Sequence, residues 1–299
     1  MTDPVVFGLE LGGTKAIAVR ALGSRIVDMM AVPTTTPEVT LGAIDTIFAN
    51  WARDGRPSAL GIASFGPAGV DRSRHDWGHI LRTPKPGWSG TMVADRYRQL
   101  LGDVPIGFDT DVNAAALAES RWGEAVGTTC NAYITLGTGV GVGVISHGRA
   151  IHGHLHPELG HLRARRAPGD GFDGNCPFHG DCIEGLISGP AIAARAGMSG
   201  ATIGDDHPIW HHVAFDLGQL LASLTLAVSP QHIAIGGGVA IGRPALIESA
   251  RVVMVAALGG YIDGLEDEAS RRVRPTVLGE RAGPLGAIAL GLAELPIKA

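Results

Sequence analysis

The chain has 299 residues, 45% of them hydrophobic and 18% charged, with a formal net charge of −5. That composition belongs to a globular chain of one large or two medium domains rather than a disordered one. The acidic balance excludes a protein that grips nucleic acid through a basic face.

The predicted elements follow in chain order. Val5–Leu11, Ala16–Ala21 and Arg25–Val32 read as three successive strands. Pro37 opens a helix with Ile44, Ile47, Phe48 and Trp51 on one face at helical spacing. Ala59–Ser64 reads as a buried strand, and residues 68–90, rich in Gly, Pro and Trp, as a long functional loop. Val93, Tyr97, Leu100 and Leu101 mark a second helix. Val104–Phe108 is a strand that delivers Asp109 and Asp111 at its C-terminal end, with Asp111 as N-cap of an Ala-rich helix over 112–122.

The second half restarts at Asn131–Leu136 and passes through an irregular segment, 147–184, rich in histidine and carrying two of the three cysteines. Val213, Leu217, Leu220, Leu221 and Leu224 make an apolar helix, and His232–Ile235 is a strand feeding Gly236-Gly237-Gly238. A helix over 243–258, a strand near 273–278 and a helix from about 284 follow. Strands alternate with helices, so the class is α/β. The expected division is an N-terminal domain over 1–115, joined by the last helix 284–299, and a C-terminal domain over 116–283 with its metal loop at 150–184. No apolar run approaches the roughly 18 residues of a membrane span. Residues 1–8 lack the basic start and apolar run of a signal peptide, and the cysteine usage fits a reducing compartment, so a cytoplasmic location is expected.

An internal repeat underlies the two halves. At an offset of 125 residues Leu11 falls on Leu136, Gly12 on Gly137, Val19 on Val144, Gly23 on Gly148 and Ile26 on Ile151. Each copy is strand, glycine turn, strand. Such a turn lets backbone N–H groups approach an anion, and two of them point to a polyphosphate. The spacing of a P-loop is absent, so the Walker arrangement does not apply.

Six segments then carry a family resemblance: Glu10-Leu-Gly-Gly-Thr-Lys15, Asp109-Thr-Asp-Val-Asn113, Leu136-Gly-Thr-Gly-Val-Gly141, His156-Pro-Glu-Leu-Gly-His161, Cys176-Pro-Phe-His-Gly-Asp-Cys-Ile-Glu184 and Gly236-Gly-Gly238. In that order they resemble the ROK family of repressors and sugar kinases. Thr83-Pro-Lys-Pro-Gly-Trp88 and the Cys-x2-His-x2-Cys spacing resemble its zinc-containing bacterial fructokinases. The resemblance implies two RNase H-like, actin-like domains around a cleft. It also implies ATP- and Mg²⁺-dependent hexose phosphorylation, most readily of fructose. A mannose, glucose or N-acylhexosamine kinase and a sugar-sensing regulator remain as alternatives, although the first glycine turn, at residue 12, leaves no room before it for a helix-turn-helix. The expected partners are a sugar, a nucleotide and a second copy of the chain in a homodimer, with neither nucleic acid nor membrane.

Each motif then has an expected role. Asp111, at a strand end where ligands of α/β sheets gather, is the candidate general base for the attacking hydroxyl, and Asp109 is its competitor. Gly12, Gly13, Thr14 and Lys15 form the first phosphate turn, with Lys15 equally readable as a solvated charge; Thr138 and Gly139 form the second. Glu10 is a candidate Mg²⁺ ligand, since magnesium takes one or two carboxylates and keeps its waters. By resemblance Gly236, Gly237 and Gly238 hold adenosine, and Pro190 lies near the nucleotide. Cys176, His179 and Cys182 supply three ligands of a tetrahedral Zn²⁺; His161 is the fourth, with His152, His154 and His156 nearby. Glu158, Glu184, His161, Asn113 and Trp88 are expected on the sugar, Trp88 alternatively as loop packing. Lys85 and Arg82 read as surface charges.

Overall fold

The structure, a computed structural model, describes residues 3–296. It divides into two units. The first comprises the described residues up to Arg121, Arg149–Pro157 and those from Glu280; the second comprises Trp122–Gly148 and Glu158–Gly279.

In the first unit β1 (Val5–Leu11), β2 (Lys15–Leu22) and β3 (Arg25–Pro33) form an antiparallel meander. Helix α1 (Pro37–Arg53) follows. Thr36 caps it by accepting from Val39 N–H, Pro37 opens it, and Leu41, Ile44, Ile47, Phe48 and Trp51 form its buried face. β4 (Ala59–Ser64), α2 (Val93–Leu101), β5 (Ile106–Thr110) and α3 (Asp111–Trp122) complete the first run. The sheet order is β3-β2-β1-β4-β5, with β4 parallel to β1 and β5. Its core is aromatic: Phe7 stacks on Phe48 at 5.3 Å between ring centroids, with Trp51 and Tyr97 edge-on to these rings.

β5 starts two residues later than expected. Pro105 has no N–H to give the ladder, so its carbonyl accepts from Leu60 N–H just ahead of the strand. The shift places Asp109 inside β5 and starts α3 at Asp111. Thr110, not Asp111, is then the capping residue: its Oγ1 accepts from Asn113 N–H at 3.2 Å.

The second unit repeats the design. β6 (Cys130–Leu136), β7 (Val140–Ser146) and β8 (Arg149–Ala150) lead through an irregular stretch to α4 (Ile183–Ile187), α5 (Gly189–Ala196) and the long apolar α6 (Ile209–Val228). β9 (His232–Gly236), α7 (Gly238–Ile241), α8 (Pro244–Leu258), α9 (Leu265–Arg272) and β10 (Val273–Pro275) follow, giving the sheet order β10-β9-β6-β7-β8.

Helix α10 (Ala282–Ala293) belongs to the first unit. It lies so close to the sheet that a Cβ on Gly61 of β4 would meet Ala287 O at 1.8 Å, and one on Gly107 of β5 would meet Leu290 O at 2.4 Å. Only glycine permits that approach. Two stretches placed with the C-terminal half on sequence grounds also belong to the first unit: residues 116–121, and 149–157. The second is held there by His152, which pairs with Asp109 at 3.0 Å, and by His156, whose Nε2 accepts from Ala68 N–H at 3.0 Å. Burial holds His156 below the usual histidine range, in keeping with a neutral acceptor.

Candidate functional site

Two carboxyls stand together in the first unit. Asp111 opens α3 beside the end of β5, and its Oδ1 accepts from Val112 N–H at 2.9 Å. Burial pushes it up to about 7. Glu10 on β1 is likewise pushed up to about 7, first by burial and then by the charge of Asp111. Its Oε2 is shielded from solvent and has no hydrogen-bond partner among the described residues. The backbone of α10 crowds it, since a Cβ on Gly283 would meet Glu10 Oε1 at 2.2 Å. A shielded carboxylate oxygen with no donor, next to a second carboxyl, is a donor set that fits a hard divalent cation such as Mg²⁺.

Asp109, the competing base, is engaged elsewhere. Its Oδ1 accepts from Asn113 Nδ2 at 2.7 Å and from Thr110 N–H at 2.7 Å, and its Oδ2 meets His152 Nε2 at 3.0 Å. The hydrogen bond to Asp109 raises His152 against the opposing effect of burial. Asn113, expected on the sugar, is only 3% exposed and spends its amide N–H on Asp109. Trp88, also expected on the sugar, is completely buried. Its Nε1 donates to Thr35 O at 2.7 Å and Phe65 packs on its ring, contacts of the kind the loop-packing alternative describes.

The first glycine turn has its carbonyls held away. Thr34 Oγ1 donates to Gly12 O at 2.8 Å, Thr34 N–H donates to Thr14 O at 2.9 Å, and Lys85 Nζ donates to Gly13 O. A Cβ on Gly13 would meet nothing within 4 Å. Lys85 is thus no surface charge. It lies over the Phe65 ring, and burial holds its ammonium below the usual lysine range. No local pattern marks it, because its contact spans 72 residues. Lys15 is exposed and faces Glu280 at 3.9 Å.

The second turn is built in the second unit. Gly137 N–H donates to Gly139 O at 3.0 Å, Gly189 N–H donates to Gly137 O at 2.7 Å, and Val140 N–H donates to Glu184 Oε2 at 3.1 Å. Gly189 is a contact the motifs did not reveal. Pro190, expected near the nucleotide, is exposed in the first turn of α5, with Ser188 as the cap. The triple glycine divides by position. A Cβ on Gly236 would strike Tyr133 Oη at 2.1 Å, and Gly237 has φ +88° with Leu136 O 2.4 Å from its would-be Cβ. Only Gly238 faces open space.

His161, Cys176, His179 and Cys182 converge, with one ligand atom from each and all four within 4.8 Å of one another. His161 Nδ1 is 3.4 Å from Cys182 Sγ and 3.8 Å from Cys176 Sγ, and His179 Nδ1 is 3.6 Å from Cys176 Sγ. A tetrahedral Zn²⁺ with bonds of about 2.0–2.3 Å needs edges of roughly 3.3–3.8 Å, so these donors fit. His152 and His156, the alternative ligands, are committed to the first unit. Burial pushes the Cys182 thiol up to about 11, and a bound metal would stabilise the thiolate there. The neighbouring loop has a second anchor. Asp170 pairs with Arg166 at 2.7 Å and with Arg195, which also pairs with the fully buried Asp216 at 2.9 Å. Although burial opposes its charge, these partners bring Asp170 down to about 2.

Glu158, expected on the sugar, is exposed at the start of the short turn Leu159–His161. Glu184, on α4, faces His161 Nε2 at 3.9 Å as well as the second glycine turn.

The chain also resembles known proteins over nearly its whole length. It is 40% identical over 301 residues to the fructokinase of Zymomonas mobilis, covering 97% of this chain and 98% of that one. To the fructokinase of Pediococcus pentosaceus it is 39% identical over 290 residues, covering 96% and 97%. A ROK family glucokinase from Streptomyces griseus, solved with glucose and AMPPNP, superposes with a TM-score of 0.76 at 27% identity, covering 97% and 99%. The two α/β units are thus of the actin-like type expected from the motifs. Residues 6–294 match the ROK family, and the chain belongs to it.

Proposed function

We propose that the protein transfers the γ-phosphoryl group of ATP to a hydroxyl of a hexose, with fructose as the preferred acceptor. The observation that carries this reading is Asp111. It is a partly buried carboxyl at a strand end, relieved of the cap to Asn113 N–H by Thr110 and pushed up to about 7 beside the shielded Glu10. A base poised near the working pH is suited to taking the proton of an attacking hydroxyl. Asp109, tied to Asn113 and His152, orients the start of α3 rather than competing. The preference for fructose is carried over from the named relatives.

The remaining assignments follow from chemistry. The first turn, with Lys85 beside it, and the second turn and Gly238 are each suited to receive nucleotide phosphate or backbone-stacked base through N–H groups whose neighbouring carbonyls are turned aside. Glu10 would help hold a hydrated Mg²⁺, which would supply positive charge against phosphate oxygens, and Asp111 beside it stays free to act as the base. His161, Cys176, His179 and Cys182 hold a structural Zn²⁺ that braces the irregular loop. Glu158 is a carboxylate acceptor for adjacent sugar hydroxyls. Initial rates with ATP and a panel of hexoses test the proposal. Fructose should give the highest kcat/KM, with glucose, mannose and N-acylhexosamines lower; a flat zero across the panel overturns it.

A further inference from the structure

Residues 149–157 pack with the first unit, although the chain on either side of them belongs to the second. Two histidines hold them there in different ways. His156 is the neutral acceptor for Ala68 N–H. His152 brings Nε2 to 3.0 Å from Asp109 Oδ2, with 33% of its side chain exposed. Asn113 Nδ2, 3.4 Å from the same nitrogen, is itself a donor committed to Asp109, so Nε2 donates to the carboxylate. That carboxylate is nearly enclosed, at 7% exposure. Its Oδ1 accepts from Thr110 N–H and from Asn113 Nδ2, both at 2.7 Å. Thr110 directly precedes Asp111 in the chain, and Asn113 follows it after Val112. One oxygen of Asp109 therefore clamps the chain on both flanks of Asp111, and the other rests on His152.

We infer that His152 is a positioning residue for phosphoryl transfer, holding Asp109 in the orientation that fixes Thr110 and Asn113 around the base Asp111. The inference rests on the reading of Asp111 as that base. A nearly enclosed carboxylate needs a partner to offset its charge, and removing the partner leaves that charge uncompensated. Here the partner is a histidine, so the hold depends on pH. The hydrogen bond to Asp109 raises His152 most; burial opposes it, and the charges of Asp109 and Asp71 add to the rise. His156, the titratable neighbour on the same segment, is held low by burial. With its proton His152 makes an ion pair with Asp109, and without it only a neutral hydrogen bond. The base has the opposite requirement, since it works deprotonated and is pushed up to about 7. Turnover should therefore have an acid limb set by Asp111 and an alkaline limb set by His152.

The test compares kcat, both KM values and their pH profiles in the full-length wild type, His152→Gln and His152→Ala. The alanine variant removes both the donor and the charge. Misplacing a reacting group by about 1 Å costs on the order of 10²-fold, so a partly loosened clamp should cost about tenfold in kcat. The KM values for ATP and sugar should stay within about twofold, because the loss falls on the transfer step. His152→Gln keeps a neutral donor. It should recover part of the turnover, keep the acid limb and lose the alkaline one. In an Asp109→Asn background, His152→Ala should add less than about twofold, because the two residues act along one chain of contacts. A His152→Ala protein with wild-type kcat and an unchanged alkaline limb overturns the inference. So do fully additive losses with Asp109→Asn, and so does a variant changed only in its sugar KM, which would place the ring on the sugar itself. If His152→Ala does not fold, the glutamine variant decides: an alkaline limb that persists in it overturns the inference. Near-normal turnover in Asp111→Asn is a separate failure, which removes the functional reading and with it the base that His152 positions.

Discussion

The two glycine turns grow from hairpins of the same design and end in opposite electrostatic company. In the first, β1 and β2 close with Leu11 opposite Ala16; in the second, β6 and β7 close with Leu136 opposite Val140, a turn one residue shorter. The first turn presents a carbonyl to the Lys85 ammonium, and the second presents an N–H to the Glu184 carboxylate. The first unit adds the paired carboxyls Glu10 and Asp111, and the second adds the thiol–imidazole cluster. A duplicated backbone thus has its chemistry set by what packs on it. One copy sits with acid–base groups pushed up to about 7, and the other sits in the unit that carries a candidate metal-ligand set.

The strongest way to break the comparison is Asp111→Asn. It should retain the fold and lose about 10²–10⁴-fold in kcat, the usual cost of removing a general base; near-normal turnover would return the role to Asp109. The wild-type kcat should fall as pH drops through about 7, since the base works deprotonated. Stability runs the other way. Both carboxyls are raised in the folded state, so their contribution is complete below the ordinary carboxylate range near 4 and is lost as pH rises through about 7. The melting temperature of the wild type should decline over that window, and Asp111→Asn should flatten the decline. An equal slope in both proteins contradicts the assignment.

The second unit is sharpened by its glycines. Gly237→Ala puts a Cβ into Leu136 at positive φ, and should cost about 1–3 kcal/mol or more in chemical denaturation. Gly238→Ala meets open space. It should leave stability within about 0.5 kcal/mol and raise the KM for ATP rather than for sugar. Matching stabilities of the two variants would deny that the triple glycine divides as described.

The smallest effect belongs to Lys85. Lys85→Met keeps the aliphatic stem over Phe65 and removes the donor to Gly13 O. A partly exposed charged hydrogen bond of about 1 kcal/mol corresponds to roughly a fivefold rise in the KM for ATP. Lys15→Met, at an exposed position, should change that KM by less than about twofold. Equal responses would show that the first turn owes nothing to the lysine packed beneath it.

The sequence by itself determined what depends on neighbours in the chain. Apolar runs and the 125-residue offset determined the strands β1, β2, β6 and β7, the glycines determined the turns between them, and the short Cys-x2-His-x2-Cys spacing determined three candidate metal ligands on one loop. Pro105 carried a local signal as well, a missing N–H, that sets the start of β5 and so the capping role of Thr110. The tertiary structure alone decided the contacts whose partners lie tens of residues apart. It brought Lys85 to Gly13, His152 to Asp109 and Glu184 to Val140, and it buried Trp88, expected on the sugar, against Thr35 and Phe65. Periodicity and turn propensity act over a few residues. Such contacts are fixed only when whole layers close on one another, and at Gly61 and Gly107 that closure tolerates no Cβ.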